Sequence, residues 1–241
     1  MNIEARKHIP RAGHEPFLEG MKDCVPTLLG YMSIGFAFGI VGISAQLSIW
    51  DIALLSIFIY AGASQFIICA LLVTGSPLSA IIFTTFIVNL RHLLLSLTLA
   101  PHFTRYSIKQ NIGFGLLLTD ESFGVAMNKL AHQGKLNNRW MHGLNVTAYL
   151  CWIAACTLGG IFGHWISNPE ALGLDFALSA MFAALLILSL QTVPKNKLTH
   201  RLSLVLYMVV AMFVLLHFVH SHVAVLLATV IVATIGVVTD K

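Results

Sequence analysis

Long apolar runs separated by short polar clusters organise this chain, and they set its elements before any single residue is considered. A hydrocarbon core about 30 Å thick needs about 20 apolar residues at a helical rise of 1.5 Å. Measured against that length, the predicted spans are Pro26–Gln46, Trp50–Thr74, Leu78–Leu99, Ile112–Leu130, Trp140–Trp165, Gly173–Leu190, Leu202–His220 and Val223–Val238. The fourth and eighth are the weakest, being short or carrying acids. The runs do not alternate with period two, so barrel strands are not expected. Trp50, Trp140 and Trp165 fall at span ends, where amphipathic rings prefer the headgroup level. The prediction is an all-α, polytopic transmembrane helical bundle of about seven or eight spans. Residues 1–24 form a polar cytoplasmic tail and 25–241 a single transmembrane transport domain. The tail has no apolar core, so it is not expected to be a cleaved secretory signal.

Basic residues between spans set the orientation, because Lys and Arg accumulate in cytoplasmic loops. With eight spans, Arg6, Lys7, Arg11 and Lys22, then Lys129, Lys135 and Arg139, then Lys195, Lys197 and Arg201 share one side, with both tails cytoplasmic. Arg105 and Lys109 then fall on the outer side, a conflict that a broken or re-entrant segment would resolve. At an offset of 124 residues, Gly35 and Gly39 align with Gly159 and Gly163, and Asp51-Ile-Ala-Leu aligns with Asp175-Phe-Ala-Leu. This suggests a duplicated unit with broken helices, parallel if the unit holds four spans and inverted if it holds three.

Composition sharpens the class. Hydrophobic residues make up 57% of the chain and charged ones 10%, too few to coat a soluble core of this size. The net charge of +4 is dispersed among loop clusters, which argues for topology signals and against nucleic-acid binding. Cys24, Cys69, Cys151 and Cys156 form no C-x-x-C pair, so neither a disulfide framework nor a metal knuckle is expected. No G-x-x-x-x-G-K-[ST] phosphate loop and no H-E-x-x-H zinc motif occur. His217, His220 and His222 could suggest a metal, but the H-x-x-H-x-H spacing places His220 and His222 at a turn, where wet histidines need no ligand role, and neither metal nor cofactor is expected.

Polar groups inside spans cost about 2.5 to 3.5 kcal/mol each for ionisable side chains on insertion scales, so each needs a partner or a task. In Tyr60-Ala61-Gly62-Ala63-Ser64-Gln65-Phe66, Gly62 frees the backbone while Ser64 and Gln65 offer hydrogen bonds at midplane depth. This suits a substrate site in a discontinuous helix; a tight helix contact is the rival reading. In Asn89-Leu90-Arg91-His92, a fixed charge sits beside groups able to bind a carboxylate or relay a proton, unless Arg91 only anchors at the interface. In Thr119-Asp120-Glu121-Ser122, adjacent acids in a low dielectric would not both ionise easily, so one can carry a proton. The rival is a re-entrant loop or a helix end capped by Asp120. Asp175, near the start of the sixth span, suits a structural cap at a helix N-terminus.

Substrate binding is accordingly expected at Gly62, Ser64, Gln65, Asn89 and Arg91, and proton coupling at His92, Asp120 or Glu121. Two other readings stand beside transport. Gly62-Ala63-Ser64 is reminiscent of the G-x-S-G of rhomboid proteases, which would make Ser64 a nucleophile with His217 as base, although Gln65 replaces the final glycine. A non-transporting scaffold subunit is the other.

These blocks carry a resemblance. The chain resembles the AzlC family of branched-chain amino acid permeases, the large subunit of LIV-type exporters, from Gly20 to about Leu190. The carriers are Gly30-Tyr31 with Gly35-Phe36-Ala37-Phe38-Gly39, then Ala61 to Phe66, then Asn89 to His92 with Leu99-Ala100-Pro101, then Thr119 to Phe123, and finally Gly173 to Ala177. The family usually has a proline near position 33, where this chain has Ser33. The resemblance implies export of valine, leucine, isoleucine and related apolar amino acids such as methionine across the bacterial inner (cytoplasmic) membrane. It also implies a small AzlD-type membrane subunit as partner.

Overall fold

The computed structural model describes residues 16–166, 195–219 and 221–239, with isolated positions between 173 and 193. Every regular element among them is helical. The predicted sixth span, with Asp175, lies outside the described residues. Four helical segments among the described residues are long and apolar enough to cross a membrane: Pro16–Ser44, Leu78–Phe103, Asn138–Gly163 and Asn196–Leu215. The elements are α1 (Pro16–Ser44), α2 (Ile49–Phe58), α3 (Gly62–Val73), α4 (Leu78–Leu99), a 3-10 turn (Ala100–Phe103), α5 (Ile108–Leu116), α6 (Asp120–Gln133), α7 (Asn138–Gly163), α8 (Lys195–Leu215) and α9 (Ser221–Thr239). They fall into two compact units, one of residues 16–62 with 90–165, the other of 63–89 with those beyond 165.

The spine of the first unit is the pair α1 and α7, which run parallel because their contacts rise together. Gly20 abuts Trp140 and Leu144, Gly35 abuts Ala155 and Cys156, Gly39 meets Gly159 and Gly160, and Gly163 meets Ile40. The hydrogen-only side chains let the two backbones touch, the way membrane helices associate without a hydrophobic drive. The glycines aligned by the sequence offset thus pack in one interface. α2 lies on α7 at its far end, where Ile52 fills the space left by Gly42 and Gly160.

α1 begins at Pro16, inside the segment read as a tail. Glu19 sits in its first turn, where acids suit the helix dipole. Both Glu19 and Asp23 accept hydrogen bonds from Lys129 Nζ, at 2.6 and 3.2 Å.

Two of the predicted spans are interrupted. The second breaks at residues 59–61. There the Ile59 N–H still bonds the Leu55 carbonyl, and the Ala61 N–H turns back to the Ile59 carbonyl at 2.7 Å, a three-residue turn. α3 then starts at Gly62.

The fourth predicted span, Ile112–Leu130, is not one crossing but parts of two helices folded back on each other. α5 is entered through a capping box of Ser107 and Gln110, and it ends at Leu116 after Gly113 and Gly115, poor helix formers. α6 is restarted by a second box. The Thr119 side chain accepts from the Ser122 N–H, and Ser122 Oγ accepts from the Thr119 N–H. The cap is therefore Thr119, and Asp120 is the first helical residue.

Contacts along α5 and α6 fix their direction. At the base, Arg105 Nη2 donates to the Leu136 carbonyl at 2.8 Å and the Asn138 N–H donates to Tyr106 Oη. Further in, Phe114 stacks on His142 and its carbonyl accepts from Asn145 Nδ2. Deepest, Thr119 meets Tyr31 of α1. α6 then descends until Lys129 reaches Glu19, Asp23 and the Trp140 ring at the level where the chain entered. Gly134, at φ 68°, ends α6 in the left-handed conformation that glycine adopts without strain. This re-entrant hairpin returns Arg105 to the same end as Lys129, Lys135 and Arg139. The expectation that the third loop lies opposite them is thereby corrected. A length criterion cannot sense it, because 112–130 is long enough to cross.

In the second unit, Ser64 at the start of α3 bonds Asn89 of α4, and the loop 74–77 joins the two helices. α8 and α9 pack antiparallel, with Gly236 against Leu204 and Thr239 near His200.

Candidate functional site

The tip of the α5–α6 hairpin gathers charge at the end of the hairpin away from its basic base. Asp120 and Glu121 open α6, where the unpaired N–H groups and the positive end of the helix dipole favour carboxylates. Arg91, from α4, meets Asp120 with Nη2 2.9 Å from Oδ2, and the two side chains retain 27% and 24% of their exposure. Tyr31, from α1, donates to Glu121 Oε2 at 3.1 Å and shares a hydrogen bond with Thr119 Oγ1. Its ring is set edge-on against Trp152 of α7, at 5.5 Å. Three helices and the hairpin therefore converge on one short segment.

The two acids differ in their surroundings. Asp120 has a guanidinium as counter-charge. Among the described residues no cation stands within ion-pair distance of Glu121, which has the neutral phenol of Tyr31 instead. His92 follows Arg91 on α4 and is half-buried.

Of the other expected residues, Ser64, Gln65 and Asn89 lie in the second unit, and Gly62 is the last residue before it. Ser64 and Gln65 are fully buried in the first turn of α3. Ser64 Oγ donates to Asn89 Oδ1 at 2.8 Å. That bond gives the hydroxyl an amide acceptor and no base, so the geometry offers nothing toward a nucleophile, which needs a base beside it. Gly62 is the first residue of α3, directly after the break. Each cluster is described within its own unit.

Sequence reasoning missed Tyr31 as a site residue, since a tyrosine in an apolar span looks like packing. It also missed the clamp of Lys129, Glu19, Asp23 and Trp140, in which the Trp140 indole N–H donates to Asp23 at 2.8 Å. The signal available for the clamp was the presence of both acids, Glu19 and Asp23, just before the first span. Among the described residues, no group of histidine, cysteine and acid side chains could hold a metal, and the four cysteines are free thiols.

A multi-span helical protein with an interrupted, charge-bearing re-entrant segment has the build of a membrane transport protein. The AzlC protein family model matches residues 26–166, which is more than half of the chain, and the chain belongs to the AzlC family. It is 32% identical to the inner membrane protein YgaZ of Escherichia coli (strain K12) over 190 residues, covering 76% of each chain. It is also 32% identical to an uncharacterized membrane protein of Archaeoglobus fulgidus over 177 residues, covering 73% of this chain and 76% of the other. To the branched-chain amino acid transport protein AzlC of Bacillus subtilis (strain 168) it is 28% identical over 165 residues, covering 68% of this chain and 63% of that one. No solved structure matches.

Proposed function

We propose that the chain is a secondary transporter that exports branched-chain and related apolar amino acids across the bacterial cytoplasmic membrane, coupled to protons and acting with a small AzlD-type membrane subunit. The observation that carries this reading is the Arg91–Asp120 pair at the tip of a hairpin that enters and leaves at one end. Opposite charges held together at depth are a ready counterpart for a zwitterion, since a ligand's carboxylate and ammonium can take over each partner without changing the net charge. Glu121, facing a phenol rather than a cation, is the acid suited to carry the coupling proton, with His92 beside the pair. The Ser64–Asn89 pair, with Gln65, is read as a polar element within the second unit. The name of the Bacillus subtilis relative supports the substrate class, and that of the Escherichia coli relative supports the membrane.

On this reading the basic end that holds Arg105, Lys129, Lys135 and Arg139 is cytoplasmic. At least one of the eight apolar segments, the fourth, does not cross. The parallel packing of α1 and α7 along their aligned glycines favours parallel over inverted repeats. The test is efflux of labelled valine from loaded proteoliposomes, with and without the small subunit and with and without a pH gradient. Gradient-dependent efflux is expected. Its absence in every combination, with protein shown to be folded and inserted, defeats the proposal.

A further inference from the structure

Beside the ion pair lies an apolar cavity of about 340 Å³ that none of the expected site residues lines. It occupies the angle between the last turns of α4 and the hairpin's first arm. Leu97 and Leu99 stand on one side, Phe114, Gly115 and Leu118 on the other, and Met141 lies behind. Its volume is near the lower end of the roughly 300–1,000 Å³ typical of small-molecule sites. Two chain paths tie it to the charges. Ser96, in its wall, is five residues from Arg91 along α4, about 7.5 Å at the helical rise. Leu118, also in its wall, is two residues from Asp120. Gly115 closes the same end, and a Cβ there would lie 3.7 Å from Ser96 Oγ, an ordinary contact.

We infer that this cavity receives the aliphatic side chain of the transported amino acid while the Arg91–Asp120 pair holds its head, so that Gly115, Leu97 and Phe114 set which side chains are carried. The inference rests on the transporter reading above. Its support is the juxtaposition itself: an apolar space, ample for a branched aliphatic side chain, whose wall includes residues two and five positions along the chain from a matched pair of opposite charges. A zwitterion with an apolar side chain needs both halves, and a polar or charged side chain would lose its hydration against Leu97, Leu118 and Phe114. An acyl chain of the surrounding lipid would use the same apolar wall, and varying the lipid's acyl chain separates that occupant from the substrate.

The experiment compares efflux of alanine, valine, leucine and phenylalanine from proteoliposomes that also hold the small subunit, prepared in two lipids of different acyl-chain length. The proteins compared are wild type, Gly115→Ala, Gly115→Leu and Leu97→Ala. Gly115→Leu fills the end nearest the charges. It is expected to lower leucine and phenylalanine flux at least tenfold while leaving alanine flux within about twofold. Gly115→Ala, for which the structure has room, shifts the same ratio in the same direction by a smaller factor and guards against a misfolded leucine variant. Leu97 is a largely exposed side chain, and Leu97→Ala raises phenylalanine flux relative to leucine by widening the space. Equal loss across all four substrates, or no change in any ratio, overturns the cavity assignment while leaving transport intact. So does an effect that follows the acyl-chain length of the vesicle lipid instead of substrate size. Failure of the wild type to carry any of the four overturns both this inference and the transporter reading.

Discussion

The α1–α7 crossing makes a prediction independent of function. Substituting Gly39 by alanine adds one carbon at the closest approach of two backbones. That carbon would lie 2.2 Å from the Cys156 carbonyl oxygen and 2.3 Å from the Gly160 nitrogen. Since both atoms are backbone, no rotamer can swing away, and relief requires the helices to part by about 1 Å, the gap at which a packed atom forfeits a quarter to a half of its dispersion well. Overpacking typically costs about 1–3 kcal/mol. A clash of backbone against backbone along the main contact of the unit belongs at the upper end, so a loss of about 3 kcal/mol is expected. Gly30, on the same helix, has open space around its missing Cβ. There the same substitution is expected to gain about 0.5–1 kcal/mol of helix propensity. The pair thus differs in sign. Equilibrium unfolding in mixed micelles, followed by circular dichroism or by exposure of the buried Cys156 thiol to a maleimide, measures both. If Gly39→Ala is as stable as Gly30→Ala, the close parallel contact does not exist, and the argument for parallel repeats falls with it.

Three further outcomes are expected. Arg91→Gln and Asp120→Asn each cut efflux severely, and in a double-mutant cycle on stability the pair couples by about 1–3 kcal/mol, since each single change removes the ion pair between two half-buried side chains; strict additivity would refute a direct pair. Thr119→Ala removes both the α6 cap and a partner of Tyr31, costing about 1–2 kcal/mol, whereas Thr119→Ser keeps the cap and should cost much less in the same unfolding assay. Cysteines placed at Ser107 and at Gln133, in a background freed of native cysteines, should react with an impermeant maleimide from the same side of the membrane; reactivity from opposite sides would mean that α5 and α6 together cross.

How much of this was legible beforehand depends on what a residue pattern measures. Apolar length located α4 and α7 to within two residues but set the starts of α1 and α8 ten and seven residues too late, because both helices begin with polar turns (Glu19, Lys22 and Asp23; Lys195 and Lys197) that an apolar ruler leaves out. It failed on 112–130, since length carries no direction and a hairpin of two short helices has the apolar content of one crossing. The sign of trouble lay in Arg105 and Lys109, which broke the charge asymmetry, and the structure resolves that conflict through the Arg105–Leu136 bond. The break before Gly62 was anticipated from glycine and neighbouring polar groups. The capping residue was missed by one position, because Thr, Asp and Ser are all good caps and their order alone does not say which adopts the extended conformation. Tyr31 was out of reach, because its role exists only once α1 is placed against the hairpin tip.

The hairpin also explains how two adjacent carboxylates can be held in an apolar unit at all. Inside an intact helix, Asp120 and Glu121 would face a backbone whose N–H groups are already used. Breaking the helix at 117–119 frees the first N–H groups of α6 and points its positive end at the acids, while Thr119 and Ser122 satisfy one another. The same construction sets where motion is cheapest. The base is tied by Arg105 to Leu136, by Lys129 to Glu19 and Asp23, and by the Lys129–Trp140 contact. The tip is tied through Arg91 to Asp120 and through Tyr31 to Thr119 and Glu121, all of them polar links that a zwitterion or a proton can replace in kind. A segment fixed at its root and held at its end by exchangeable partners responds to a ligand at that end. On the proposed transport reading, its rearrangement begins at Asp120 and Glu121.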